Sequence, residues 1–123
     1  MEVEFYETPN KRCPAIDYLD SLDNKMKAKT LRTIDLLERN GYMLRMPYSE
    51  SLNNELFVLR SKHGSNITRL FYFYSNNKII ITNGFSKKTN KIPKKEIDLA
   101  ISYKNEYERK HKKWNMKYTK RKH

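Results

Sequence analysis

Ile67-Thr68-Arg69-Leu70-Phe71-Tyr72-Phe73-Tyr74 decides how the rest of this chain is read, because every residue in it except Arg69 and Leu70 is β-branched or aromatic. Such side chains fit a pleated, half-buried surface, and the run is too short for a core helix, so it predicts a strand. Ser75-Asn76-Asn77 then supplies turn residues leading into Lys78-Ile79-Ile80-Ile81-Thr82-Asn83, a second strand. On the N-terminal side, the turn Lys62-His63-Gly64-Ser65-Asn66 is preceded by Glu55-Leu56-Phe57-Val58-Leu59-Arg60, another short apolar run. The three runs predict an antiparallel meander.

Upstream of the meander, residues 2–7 alternate, with Val3 and Phe5 on one face and Glu2, Glu4 and Tyr6 on the other, so an opening strand is expected. Ala15, Ile16, Tyr18, Leu19 and Leu22 recur at helical spacing behind Pro14, which suits a first helical turn. Asp23 or Asn24 caps a second helix with the stripe Ala28, Leu31, Ile34 and Leu37, and Gly41 supplies its exit. Downstream, Pro93 opens a helix over about 93–112 whose face carries Ile97, Ala100, Ile101, Lys104 and Tyr107. The expected class is α+β, an antiparallel-dominated twisted sheet packed on two N-terminal helices in the order β-α-α-β-β-β-α. One domain over residues 1–110 and a basic tail over 111–123 account for the chain.

Composition narrows the function. A formal charge of +12, from 26 Lys and Arg against 14 Asp and Glu, builds self-repulsion that a polyanionic partner relieves. Nine of those cations lie between Lys104 and His123. Cys13 is the only cysteine, so no intrachain disulfide forms, and a reducing, cytoplasmic setting is expected. No apolar run approaches the roughly 18 residues needed to span a bilayer, so no membrane partner is expected.

Conventional catalytic sets are scarce. The three histidines are His63 in a turn and His111 and His123 near the end, without metal-ligand spacing, and no glycine-rich phosphate loop is present. Neither a metal nor a small-molecule cofactor is therefore expected. What remains is cations in or beside apolar strands. Arg69 shares a strand face with Ile67 and Phe71, where a guanidinium requires either a carboxylate or carbonyl partner or a phosphate. Arg60 ends the preceding strand, and Lys87 and Lys88 follow the last one at the rim of the sheet. Adjacent ammonium groups disfavour one another's charge, which suits either lysine to proton transfer.

Glu55–Arg60, then Thr68-Arg69-Leu70-Phe71-Tyr72-Phe73, then Gly84-Phe85-Ser86-Lys87-Lys88-Thr89, then Ile92-Pro93 and a helix with Glu96-Ile97-Ala100, stand in one order. Together they resemble the RelE/ParE toxin superfamily, and within it the HigB-type, phage-derived Gp49-like branch, over about residues 1–110. The resemblance implies the toxin of a type II toxin–antitoxin system: a metal-independent, ribosome-dependent mRNA endoribonuclease that inhibits translation. Its implied partners are mRNA on the ribosome and a helix-turn-helix, HigA-type antitoxin. On that reading Arg69 stabilises the scissile phosphate, Arg60 supports it, and Lys88 or Lys87 moves the proton. Tyr72 or Phe85 then stacks on a base, and His63 and Lys91 contact RNA. Two alternatives stay open: a ParE-type toxin that inhibits gyrase by protein contact, and a nonenzymatic nucleic-acid-binding module.

Overall fold

The computed structural model describes residues 1–53 and 55–122, the last ten of these by backbone alone. The elements run β1 (Glu2–Phe5), α1 (Pro14–Asp20), α2 (Asn24–Asn40), a 3-10 turn (Gly41–Met43), β2 (Ser49–Ser51), β3 (Phe57–His63), β4 (Asn66–Ser75), β5 (Lys78–Lys87) and α3 (Lys94–Lys122). The α+β class is as expected, with a short strand β2 and the 3-10 turn added between α2 and the meander. Where a tail separate from the domain was expected after residue 110, the backbone of α3 continues to Lys122, while the side chains beyond Lys112 and all of His123 lie outside the described residues.

Local chemistry explains the punctuation. Asp23 accepts a hydrogen bond from the Met26 amide at 2.9 Å, capping α2, and Gly41 leaves the helix at a φ of 51° that is costly for a side chain with a Cβ. Asn76 and Asn77 both adopt positive φ, the requirement of a two-residue hairpin turn whose twist matches its strands. At the other hairpin Gly64 does the same, and β3 and β4 extend to His63 and Asn66, shortening the expected turn.

The sheet order is β1-β5-β4-β3-β2. The meander is antiparallel throughout, β2 pairs antiparallel with β3, and β1 joins β5 in parallel with Val3 opposite Ile79. Both faces of the sheet are covered. On one, α1 and α2 bury Ala15, Leu19, Ile34 and Leu37 against Leu59, Leu70, Tyr72, Ile79 and Ile81. On the other, α3 lays Ala100 over Leu56, Val58, Phe71 and Phe85, and Tyr107 over Phe73 and Ile80. The expected packing on the two N-terminal helices is half of the arrangement, and α3 supplies the rest.

The expected stripe of α2 changes, and a bulge in β5 sets the face of Phe85. Helix α2 buries Met26, Thr30, Thr33, Ile34 and Leu37, while Ala28 and Leu31 are exposed. The threonines go inside because their hydroxyls are satisfied: Thr30 donates to the Met26 carbonyl at 2.7 Å and meets the Thr68 hydroxyl at 2.8 Å, and Thr33 donates to the Lys29 carbonyl at 3.0 Å. In β5, the register against β4 shifts between Leu70 and Tyr72, which places Thr82 and Asn83 opposite Phe71 alone. Strict alternation from Ile79 and Ile81 puts Phe85 towards α1 and α2. The bulge turns it to the α3 face, beside Phe71.

Candidate phosphate site at an arginine pair

The strand β5 does not end at Asn83 but runs on to Lys87, so Gly84-Phe85-Ser86-Lys87 is a paired strand and not a loop. Gly84 is required there by close approach. A Cβ at this position stands 2.5 Å from the Tyr18 ring and 2.8 Å from the Arg69 carbonyl oxygen. Tyr18, carried by α1, continues past Gly84 to share a 2.5 Å hydrogen bond with the Ser86 hydroxyl. Burial raises the Tyr18 phenol above its ordinary pKa, opposed by its bonds to Ser86 and the Arg69 backbone.

Opposite Gly84–Lys87, β4 presents Leu70 through Ile67, with Arg69 paired to Phe85 and Ile67 to Lys87. On its other side Arg69 pairs directly with Arg60 of β3. Cross-strand partners share a face, so two guanidinium groups project from neighbouring strands on the same side of the sheet. Arg69 is 1% exposed, and its guanidinium carbon lies 5.4 Å from the centre of the Phe85 ring. Its Nη2 donates to the Thr89 carbonyl, and the Nη2 of Arg60 donates to Asn90 Oδ1 at 2.7 Å. The two arginines thus hold the loop that follows β5 by its oxygens.

Neither guanidinium is fully satisfied. Arg69 Nη1 and Arg60 Nε are buried without hydrogen-bond partners, and among the described residues neither arginine forms an ion pair. Burial lowers the Arg69 pKa from its ordinary value, Arg60 lowers it further, and Glu50 and Tyr18 partly oppose both. The group still carries its charge at neutral pH. Like charges directly across a ladder oppose folding, so this pair costs stability that packing elsewhere offsets. An anion bridging the two arginines removes that cost and supplies the missing acceptors.

The other expected site residues separate into three groups. Lys87 ends β5, where period-2 alternation puts it on the face of Phe85, while Lys88 and Lys91 are exposed in the loop beyond. His63 closes β3 away from the arginine pair, lining a separate pocket with Lys29 and Arg32 of α2. Tyr72 and Phe85 do not offer the base-stacking face expected of them. Tyr72 is 0% exposed, stacked on Phe57 and bonded to Ser49, and Phe85, 8% exposed, lies between Phe71 and the Arg69 guanidinium. Both are core residues, as aromatics on buried strand faces usually are.

Sequence reasoning missed Tyr18, Ser86, Thr89 and Asn90. Tyr18 reads as one more apolar position on α1, and only its contact with Gly84, 66 residues away in sequence, marks it. Among the described residues no group of three or more His, Cys, Asp or Glu stands together to hold a metal ion. No helix among them is long and apolar enough to cross a membrane.

The family model described as phage-derived protein Gp49-like (DUF891) matches residues 17–105. That span carries the second half of α1, then α2, the whole meander, Arg60, Arg69, Lys87, Lys88 and the start of α3. No curated protein matches the chain. A chain in the crystal structure of an archaeal RelE–RelB complex from Pyrococcus horikoshii OT3 is similar at 16% identity, over 68% of this chain and 90% of that one, with a TM-score of 0.42. Matched over most of its length by the family model, the chain belongs to the phage-derived Gp49-like family of RelE/HigB-like toxins.

Proposed function

We propose that this toxin is a metal-independent endoribonuclease that cuts mRNA on the ribosome and is held in check by a helix-turn-helix antitoxin. The observation that carries the reading is the Arg60–Arg69 pair, Arg69 buried and Arg60 half-buried, unpaired with any described carboxylate and each with one buried donor, Arg69 Nη1 and Arg60 Nε, left without a partner. A guanidinium fork matches the oxygens of a phosphodiester, and two forks on one face suit a group whose negative charge grows during reaction.

In the proposed reaction the RNA 2′-oxygen forms a bond to the adjacent phosphorus as the bond from phosphorus to the 5′-oxygen breaks. The products are a 2′,3′-cyclic phosphate and a 5′-hydroxyl. Arg69 donates to a non-bridging oxygen and Arg60 supports it, while Lys87 or Lys88 passes a proton at the attacking or leaving oxygen. Arg69 Nη1 and Arg60 Nε are unpartnered but buried, and the Thr89 carbonyl and Asn90 Oδ1 hold one further donor of each guanidinium, so substrate entry displaces the loop from the arginines.

The test is mapping of mRNA ends in translating extracts with the wild-type chain and with Arg69→Lys and Lys87→Ala variants. Expected are cuts bearing 5′-hydroxyl ends, weakened in both variants. Absence of cuts with the wild type, or cuts unchanged in both variants, overturns the proposal. Growth inhibition that survives alanine at Arg60, Arg69 and Lys88 together points instead to a gyrase-directed protein contact.

A further inference from the structure

The cationic surface does not stop at the arginine pair. Just before β2 begins, the edge of β3 borders a pocket of about 460 Å³ lined by Arg60, Lys62 and Asn90 together with Lys29 of α2 and Tyr48. Lys29 also lines a second pocket, of about 390 Å³, with Lys25, Arg32 and His63. The two hollows therefore meet at one lysine. Among the described residues no acidic side chain lines either of them.

Lys25, Lys29 and Arg32 lie four and three residues apart on α2, so they stack along one helix face at about 6 Å and about 4.5 Å of rise. Three cations in a row on an exposed face repel one another and contribute nothing to the core. None of the three is in an ion pair among the described residues, whereas their neighbours Lys27 and Arg39 pair with Asp20 and Asp35. Tyr48, an aromatic side chain lining the first pocket, is 45% exposed.

We infer that this tract, from Arg60 through Lys29 to Lys25, Arg32 and His63, is a binding groove for the backbone of single-stranded RNA, with Tyr48 as a stacking platform for one base. A repeated anion matches cations spaced along a helix, and an exposed ring beside them matches a base. An acidic peptide accounts for the cations but leaves the ring without a partner. The inference rests on the reading of Arg60 and Arg69 as a phosphate site and extends it: a strand bound in the groove is led to the arginine pair by continuous contact. It also gives His63 a place on RNA well away from the chemistry.

The experiment measures binding of a fluorescent oligouridylate to the full chain, without ribosomes, across a salt series. Lys25→Ala/Lys29→Ala/Arg32→Ala is expected to flatten the slope of log affinity against log salt by about 2, since each lost phosphate contact on a single strand removes about 0.7. Lys94→Ala/Lys95→Ala/Lys110→Ala removes the same charge from α3 and is expected to leave the slope nearly unchanged. Tyr48→Ala is expected to weaken the oligouridylate about tenfold and an oligoglutamate of equal charge not at all. Equal flattening in both triple variants, or an oligoglutamate bound as tightly as RNA with no effect of Tyr48→Ala, overturns the assignment. Because cleavage is not measured, failure of the endoribonuclease reading registers in the mapped mRNA ends and not here.

Discussion

Arg60 and Arg69 stand directly opposite one another on the β3–β4 ladder, two like charges where a sheet gains most from a complementary or apolar pair. Arg69 is buried with Nη1 unpartnered, and its charge has no described carboxylate within ion-pair distance. The needs of the fold do not explain a position of this kind, and the proposed phosphate would.

That reasoning separates stability from activity at one residue. Replacing a buried charge by an apolar side chain of similar volume is often neutral or stabilising, whereas removing a preorganised donor costs about 10²–10³ in rate. Arg69→Met is therefore expected to unfold at a urea concentration equal to or above that of the wild type while its mRNA cleavage falls by about two orders of magnitude. A large loss of the urea midpoint would instead mean that the Thr89 contact dominates the energetics of Arg69.

The loop after β5 is tethered by Arg69 through Thr89 and by Arg60 through Asn90. Arg60→Ala removes the second tether. Amide hydrogen exchange over residues 88–92 is expected to accelerate about tenfold, with β4 unaffected, because the loss of one charged hydrogen bond is worth about 1.5 kcal/mol. Unchanged exchange in the loop would show that Thr89 alone holds it.

Gly84 exists for the approach of Tyr18. A Cβ there meets the ring at 2.5 Å and the Arg69 carbonyl oxygen at 2.8 Å, so Gly84→Ala is expected to destabilise by about 1–3 kcal/mol, the usual range for overpacking. Adding Tyr18→Ala removes one of the two clashes, and a double-mutant cycle by urea denaturation should show strong coupling between the sites. Simple additivity would show that the backbone oxygen, and not the ring, excludes a side chain.

Buried tyrosines set an alkaline limit. Burial, with Glu4 beside it, pushes the Tyr107 phenol up to about 12, and burial with the Glu106 bond raises Tyr6 still further. Above about pH 10 the unfolded chain loses these protons while the folded chain keeps them, so the unfolded state binds fewer protons and stability falls as pH rises. The urea midpoint is expected to drop between pH 9 and pH 11.5, and Tyr107→Phe should reduce that drop. An identical pH profile for the variant would place the titration elsewhere.

How much of this could be read before folding depends on how local each determinant is. The meander was legible because period-2 alternation and the turn residues Asn76, Asn77 and Gly64 act within a few positions, and the caps of α2 were legible for the same reason. Arg60 and Arg69 were recognisable as out-of-place cations, since a charge in an apolar run stands out at any register.

What the sequence by itself determined is therefore the three helices, the opening strand and the meander, the class and the cationic character of the candidate site. Only the tertiary structure decided that Arg60 faces Arg69, that the bulge at Thr82 and Asn83 turns Phe85 beneath Arg69, and that Tyr72 is sealed in the core. It also decided that α3 covers the second face of the sheet and that Lys29 joins two cationic pockets. The physical reason is range: backbone preference and side-chain period are properties of neighbours in sequence, whereas register, burial and the meeting of charges depend on partners tens of residues away that only packing brings together.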